Sequence, residues 1–283
     1  MRARFVAMFG GALFLIAGCG AGHPTAKTAR ATPPASGGAI ASPGPTRVAA
    51  VVPTVHTTGS PYVRALAYSR AGQYTTAAAQ YKKSIQQHEH VAESYAGLGA
   101  VGIRQGDYSS AYTAYRKAAS LRPADAELVY KSAFTALYSG DAHAAVSYAT
   151  RYIQLEPHRT SGYHLRFLAY GKLARRTEQI RDARSITRLD PKSTVAFTDL
   201  GIALANNGKF SQATQAFSQA IGLDPTDVSY YTNRAIAENL NHQQPRAMND
   251  LHKARSLAKD PATRASLDKA IASLTKDMKK HHR

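Results

Sequence analysis

Few residues of this chain are grouped in a way that could support covalent or metal chemistry. His88, Glu89 and His90 form the tightest cluster of ligand-capable side chains, but no third ligand follows at helical spacing, as a zinc site would need. The sequence contains neither a nucleophile beside a base nor a glycine-rich phosphate loop. We therefore interpret residues 88–90 as a solvated turn, and the sequence predicts a protein that is not an enzyme and holds no metal or cofactor.

Arg181, Arg184 and Arg188 are a second group with recognisable chemistry, since their i, i+3, i+7 spacing places them on one face of a helix. Such a face could bind an anionic polymer or lipid, and the formal net charge of +18 is compatible with anionic partners. Glu178 and Asp182 neutralise part of this face, so a solvated surface is the favoured interpretation. Nucleic acid is not an expected partner.

The N-terminal residues have the pattern of an export signal. A basic start is followed by an apolar run at residues 5–17 and by the tetrapeptide Ile16-Ala17-Gly18-Cys19, which resembles the lipobox of bacterial lipoproteins. The resemblance implies that residues 1–18 are a cleaved signal peptide and that Cys19 carries a lipid anchor. It also implies a bacterial cell-envelope location, and Gly20 in place of an aspartate favours the outer membrane, facing the periplasm. A soluble secreted protein is the alternative.

Residues 19–60 are predicted to form a flexible tether between the lipid and the rest of the chain. They are rich in Ala, Pro, Thr and Gly and contain no aromatic residue, so they cannot bury enough apolar surface to offset the entropy lost on folding. All 16 tyrosines of the chain lie between Tyr62 and Tyr231. The folded part is therefore expected to begin near residue 58.

The remainder of the chain repeats one outline with a period of 34 residues. The prolines and glycines on this period are Pro123, Pro157, Pro191 and Pro225, and Gly72, Gly106, Gly140 and Gly208. A period of this length is typical of stacked helical hairpins. Six units fit residues 58–261 without a gap, at 58–91, 92–125, 126–159, 160–193, 194–227 and 228–261.

Small and large residues also recur in register within these units. The small position of the second helix holds Ala77, Ala111, Ala145, Ala213 and Ala247, and its large position holds Tyr81, Tyr115, Phe217 and Leu251. Together with the pairs Leu98-Gly99 and Leu200-Gly201, these positions resemble the tetratricopeptide repeat (TPR) family. The resemblance implies an all-α, right-handed superhelical solenoid of six TPR hairpins, to which residues 262–283 add a C-terminal capping helix and a basic tail.

The resemblance further implies that the first helix of each unit lines a concave groove, in which members of the family bind protein segments. The family's inward positions give a predicted groove of Arg70, Arg104, Tyr130, Phe134, Leu137, Tyr138, His164, Leu168, Lys172, Ile202 and Asn206. Its middle is apolar and aromatic, and cations flank it, which suits a bound peptide or amphipathic helix. The alternative is that some of these aromatic residues only pack against the next unit.

The layout of signal, spacer and repeats predicts an exported, lipid-anchored TPR scaffold. We expect it to bind an envelope protein or peptide segment in its groove and to support the assembly or localisation of an envelope complex. Lipoproteins of pilus assembly and adaptors of peptidoglycan hydrolases have a similar layout. The alternative function is binding of an anionic envelope polymer or lipid through the arginines of the fourth unit.

Overall fold

The computed structural model describes residues 58–281, so the predicted signal peptide, Cys19 and almost all of the predicted tether lie outside the described residues. Within this range the chain forms thirteen α-helices and no strand. The helices are α1 Pro61–Arg70, α2 Tyr74–Gln86, α3 Val91–Gln105, α4 Tyr108–Leu121, α5 Ala126–Ser139, α6 Ala142–Leu155, α7 Thr160–Lys172, α8 Arg176–Leu189, α9 Thr194–Asn206, α10 Phe210–Leu223, α11 Val228–Leu240, α12 Gln244–Leu257 and α13 Pro261–His281. The predicted all-α solenoid of helical hairpins followed by a terminal helix is confirmed.

The helices form a row in which each helix packs against the next one along the chain. Beyond these neighbours, the closely packed pairs join first helices of successive hairpins, namely α1 with α3, α5 with α7, and α9 with α11. First helices that approach each other in this way must lie on the inner side of a bend. The row therefore presents its odd-numbered helices along one concave surface, which we call the groove.

The turn inside each hairpin holds one residue in the left-handed backbone region. The residues with positive φ at this repeated place are Gly72, Gly106, Gly140, Ala174, Gly208 and His242. Glycine adopts this conformation without steric penalty, whereas a side chain makes it unfavourable by about 1–2 kcal/mol. Ala174 and His242 keep the same geometry, so the packing of the two helices, rather than the residue at the turn, determines the shape of the hairpin.

Close contacts between small residues and aromatic rings hold the two helices of a hairpin together. A Cβ atom added to Gly99 would lie 2.5 Å from the Tyr115 ring, and one added to Gly201 would lie 2.5 Å from the Phe217 ring. Phe217 is fully buried by this contact. The predicted pairing of small with large positions is therefore what allows α3 to approach α4, and α9 to approach α10.

The fourth hairpin, α7 and α8, replaces part of this apolar contact with an ion pair. Arg166 donates two hydrogen bonds to the Asp182 carboxylate, from Nε at 2.8 Å and from Nη2 at 2.7 Å, and a third from Nη1 to Thr150 Oγ1 of α6 at 3.0 Å. Asp182 is only 1% exposed. Such a bidentate pair both satisfies the buried carboxylate and fixes the angle between the helices.

The same ion pair returns two units later. Arg234 of α11 donates to both Asp250 oxygens, at 2.6 and 2.8 Å, and to Ser218 Oγ of the preceding hairpin at 2.9 Å. In the second and fifth units the equivalent positions hold Leu98 with Ala114, and Leu200 with Ala216. In the first unit the same position holds Arg64, whose Nε donates to Gln80 Oε1 at 3.1 Å, and in the third it holds Ser132 with Tyr148. One position of the repeat thus carries ionic, polar or apolar pairs in different units.

The terminal helix α13 covers the last hairpin. Leu267 and Leu274 are buried against Leu251 and Ala254 of α12. An ion pair between Arg255 and Asp268 joins the two helices at the surface. None of the helices between residues 58 and 281 is long and apolar enough to cross a lipid bilayer.

We predict that Gly201→Ala destabilises the chain by about 1–3 kcal/mol, because the added methyl group overpacks the contact with Phe217. Gly222→Ala is the matched control, since a Cβ there meets no atom within 4 Å. It should stabilise the chain by about 0.5–1 kcal/mol through higher helix propensity. Urea unfolding followed by circular dichroism measures both changes, and equal effects of the two substitutions would contradict this account of the hairpin contact.

Candidate functional site

Three aromatic side chains form an exposed cluster at one edge of the groove. The Tyr138 ring lies 4.5 Å from the Phe134 ring on the same helix, α5, and 5.3 Å from the Tyr108 ring at the start of α4, measured between centroids. Tyr138 remains 52% exposed although its ring stacks on Tyr108 and lies tilted against Phe134. We call Tyr108, Phe134 and Tyr138 the aromatic patch, and it is a preformed apolar surface on the inner side of the row.

The other predicted groove residues differ in how accessible they are. Arg70, Arg104, Lys172 and Asn206 are exposed, while Tyr130, His164, Leu168 and Ile202 are half-buried. Tyr130 packs against the Tyr152 ring of α6 at 5.2 Å, so part of its surface serves the hairpin contact. Tyr130 and Leu168 border the same buried cluster as Phe134, which makes the floor of the groove continuous from α5 to α7.

Leu137 does not belong to the groove surface, and its prediction as a groove residue is wrong. Its side chain is 2% exposed and lies in the core cluster with Ala133, Ala145 and Leu165. The α5 helix is rotated so that Phe134 and Tyr138, four residues apart, face the groove, and Leu137 points between the helices. A family position gives only an average orientation, and the local packing decides the individual side chain.

Cations follow the aromatic patch along the same edge of the groove. Arg70, Arg104, Tyr138 and Lys172 occupy equivalent places near the ends of α1, α3, α5 and α7, spaced by 34 residues. Among residues 58–281 none of these three cations has an ion-pair partner. Tyr138 is therefore flanked on both sides by exposed positive charge.

A cleft of about 150 Å³ opens at the N-terminal ends of α7 and α9. Its lining residues are Thr160, His164, Ile186, Asp190, Ser193, Val195, Ala196 and Asp199. The α7 and α9 helices are not among the closely packed pairs of first helices, which leaves room for the cleft. We call it the Asp199 cleft.

The carboxylate of Asp199 opens onto the cleft and receives no hydrogen bond from the described residues. The residue is 8% exposed, and its nearest cation-capable atom is His164 Nδ1, at 3.9 Å from Oδ2. Burial raises the pKa of Asp199 to about 6 and lowers the pKa of His164 below its ordinary value. Near neutral pH the carboxyl group is therefore ionised and the imidazole neutral, so the cleft carries net negative charge on a chain that is basic overall.

The three candidate arginines for an anionic surface lie exposed on α8. Arg184 Nη2 donates to Gln212 Oε1 of α10 at 2.8 Å, and Arg188 Nη2 donates to Ser185 Oγ at 3.3 Å. The Arg181 side chain makes no hydrogen bond within the described part of the chain. The face is thus partly occupied by contacts inside the protein.

The histidines at residues 88–90 have a structural setting in the turn between α2 and α3. His88 and His90 both have positive φ, and the His90 ring stacks on the Tyr62 ring at 4.5 Å. Between residues 58 and 281 no group of three or more His, Cys, Asp or Glu side chains is arranged to hold a metal ion.

Sequence reasoning missed two residues of this surface, Asp199 and Tyr108. Asp199 is the one charged residue of α9, whose other residues are mostly apolar, and this isolation was the available signal. Tyr108 begins a second helix, whereas the predicted groove drew on first helices alone. Both reach the site because of the way neighbouring helices pack.

Comparison with known proteins supports the repeat assignment. Residues 62–126 and residues 195–227 match family models described as tetratricopeptide repeat. The small glutamine-rich tetratricopeptide repeat-containing protein 2 of Mycosarcoma maydis is 27% identical over 136 residues, which is 48% of this chain and 39% of that protein. The TPR repeat-containing protein YpiA of Bacillus subtilis is 24% identical over 163 residues, which is 54% of this chain and 38% of that protein. The chain thus spans well under half the length of these curated relatives.

Solved structures show the same fold. MamA from Desulfovibrio magneticus superposes with a TM-score of 0.54 at 18% identity, covering 59% of this chain and 94% of that one. YrrB, described as a TPR protein with an unusual peptide-binding site, superposes with a TM-score of 0.56 at 17% identity, covering 67% of this chain and 97% of that one.

We predict that Asp199→Asn stabilises the chain at neutral pH. The folded state holds the Asp199 proton about two pKa units more tightly than the unfolded state, so the wild type loses stability as the pH rises from about 4 to above 6. One pKa unit corresponds to about 1.4 kcal/mol. The free energy of unfolding of the variant should therefore exceed that of the wild type by about 1–3 kcal/mol near pH 7.5 and by little near pH 4. Urea midpoints across this range measure the difference.

Glu127→Gln is the control for this measurement, because it removes one carboxylate from an exposed position of α5. Its midpoint should follow that of the wild type at every pH. A constant difference between Asp199→Asn and wild type from acid to neutral pH would contradict the assigned cause.

Proposed function

We propose that this chain, which carries tetratricopeptide repeats, is a lipid-anchored scaffold of the bacterial cell envelope, facing the periplasm from the outer membrane. It binds a segment of another envelope protein in its groove and thereby supports the assembly or localisation of an envelope complex. Pilus assembly and the recruitment of peptidoglycan hydrolases are processes of the expected kind. No catalytic step is assigned to the chain.

The exposed aromatic patch is the observation that carries the binding proposal. Tyr138 and its two neighbours keep a rigid apolar surface in contact with water, and such surfaces commonly mark protein interaction sites. Tyrosine and phenylalanine supply large contact areas with few rotatable bonds, so ordering them on binding is inexpensive in entropy. The peptide-binding site described for YrrB, which has the same fold, is consistent with this use of the groove.

The anchoring part of the proposal rests on the sequence of the N-terminal residues. The apolar run that ends in Ile16-Ala17-Gly18-Cys19 has the order expected of a lipoprotein signal. The segment between Cys19 and α1 would allow the repeats to reach partners away from the membrane. This part can fail independently of the groove.

Direct binding of an anionic polymer through Arg181, Arg184 and Arg188 receives less support as a function. Arg184 is engaged with Gln212 of the next hairpin, and surface charges of this kind are commonly only solvated. Polymer binding would weaken steeply with salt. Partner capture by the aromatic patch should change little over the same salt range.

The groove is tested by the double substitution Phe134→Ala with Tyr138→Ala. We expect capture of the partner, crosslinked in cells and recovered with the anchored protein, to fall roughly 30-fold or more, because buried aromatic anchors contribute at least about 2 kcal/mol to such interfaces. Leu223→Ala is the control, since it trims an apolar side chain that is 42% exposed outside the patch. Full capture by the double variant, with circular dichroism unchanged, would refute the groove assignment.

The lipid anchor is tested by Cys19→Ala. Because the variant cannot be acylated, we expect the protein to leave the membrane fraction or to keep its signal peptide. Mass spectrometry of the N-terminal peptide and partitioning between detergent and water measure this. Unchanged mass and partitioning would refute the anchor and leave the groove proposal intact.

A further inference from the structure

We infer that the Asp199 cleft is a subsite that takes one lysine or arginine side chain of the segment bound in the groove, with Asp199 as its counter-ion. This inference rests on the proposed binding of a protein segment in the groove. It adds a chemical requirement for the partner, which must carry a basic residue at a defined distance from its apolar anchor.

The state of Asp199 is the first argument for the subsite. The Asp199 side chain is 12% exposed and lines the cleft, and among the described residues its nearest cation-capable atom is His164 Nδ1, at 3.9 Å from Oδ2. Buried carboxylates in folded proteins are normally hydrogen-bonded or paired. In contrast, Asp182 and Asp250 each receive two hydrogen bonds from an arginine of their own hairpin. Asp199 has no such cationic partner among the described residues, and the cleft has room for one.

The lining of the cleft suits a long basic side chain. Ile186, Val195 and Ala196 form apolar walls, and the second carboxylate, Asp190, lies in the cleft with Asp199. Lysine and arginine bury their methylene stems along apolar surface while the charged end reaches a polar group. No lysine or arginine of the described residues lines the cleft, so the negative charge is not neutralised internally.

The size of the cleft argues for a single side chain. Its volume of about 150 Å³ is well below the roughly 300–1,000 Å³ of small-molecule sites. A metal ion does not fit the donor set, since no group of three ligating side chains occurs between residues 58 and 281. An anion would face the carboxylates of Asp199 and Asp190.

The position of the cleft links it to the aromatic patch. His164 lies one helical turn before Leu168 on α7, and Leu168 borders the buried cluster next to Phe134. Successive first helices are roughly 8–10 Å apart, so two such steps from α5 to α9 span about 20 Å. An extended segment covers this distance in about six residues. The partner should therefore carry Lys or Arg about six residues from an aromatic or large apolar residue.

A basic side chain of this chain itself is the competing occupant. Lys27, Arg30 and Arg47 precede the first helix, and one of them would supply the same charge. We assign the cleft to the partner segment, because the apolar anchor and the basic residue then belong to one bound chain. The full-length variant with these three residues changed to Gln tests the alternative.

The first experiment probes the cleft directly with butylammonium and butylguanidinium ions on the full chain. We expect them to shift the NMR signals of the His164 ring, and 1-butanol, which has the same stem without charge, to shift them much less. Asp199→Asn should weaken this binding roughly tenfold or more, whereas Glu127→Gln should not. Absence of a shift in the wild type, or equal binding by Asp199→Asn, would overturn the inference. Tighter binding after replacing Lys27, Arg30 and Arg47 would show that the chain fills its own cleft and would overturn the assigned source.

The second experiment selects a displayed library of random twelve-residue peptides on the full chain. We expect Lys or Arg to be enriched about six residues from an aromatic or apolar residue, and Asp199→Asn to lose the basic preference only. Phe134→Ala with Tyr138→Ala should lose the apolar preference. Apolar enrichment without a basic residue would overturn this inference and leave the proposed function standing. Failure to enrich any peptide would count against the proposed function. The experiment with butylammonium and butylguanidinium would then test independently whether the cleft binds a cation.

Discussion

The close approach of a small residue on one helix to an aromatic ring on the next is the contact on which the other features of this structure depend. At Gly201 and Phe217, and at Gly99 and Tyr115, the backbone of one helix lies directly against a ring. That distance determines how closely the two helices of these hairpins approach, whereas in the fourth hairpin, α7 and α8, the buried Arg166–Asp182 pair joins the helices. The hairpins stack in a row with their first helices on the inner side.

The inner surface combines two kinds of side chain that a packed core would not tolerate. The aromatic patch leaves apolar rings in water, and the Asp199 cleft holds a partly desolvated carboxylate that receives no hydrogen bond from the described residues. Both are unfavourable in the unbound protein, because the rings expose apolar surface to water and the carboxylate loses part of its hydration. A segment that carries both an apolar and a basic side chain would relieve both at once. Departures from good local packing of this kind are expected where a protein binds.

The fold could be predicted from the sequence because the period of 34 residues fixes the hairpin, and positions such as Gly99, Ala213 and Phe217 recur in register. The site could be predicted only in part. Tyr138 is exposed and Phe134 is half-buried, whereas Leu137 turns into the core, since a repeat position does not specify the rotation of an individual helix. Asp199 stands out as the one charged residue of α9, but its environment could not be predicted, because the gap between α7 and α9 depends on how two units pack together.

The difference between the arginine–aspartate pairs and the apolar pairs at one repeat position has a consequence for how the row assembles. Six similar hairpins could in principle exchange partners, with a first helix docking on the second helix of another unit or of another molecule. An α7 helix placed against α10 would set Arg166 opposite Ala216, and the displaced Asp182 would meet Leu200. Burying either charge without its counterpart is unfavourable by several kcal/mol. The two arginine–aspartate pairs therefore favour the native neighbour of each helix over the helices of other hairpins. This preference discourages domain swapping in a chain whose repeats are otherwise similar.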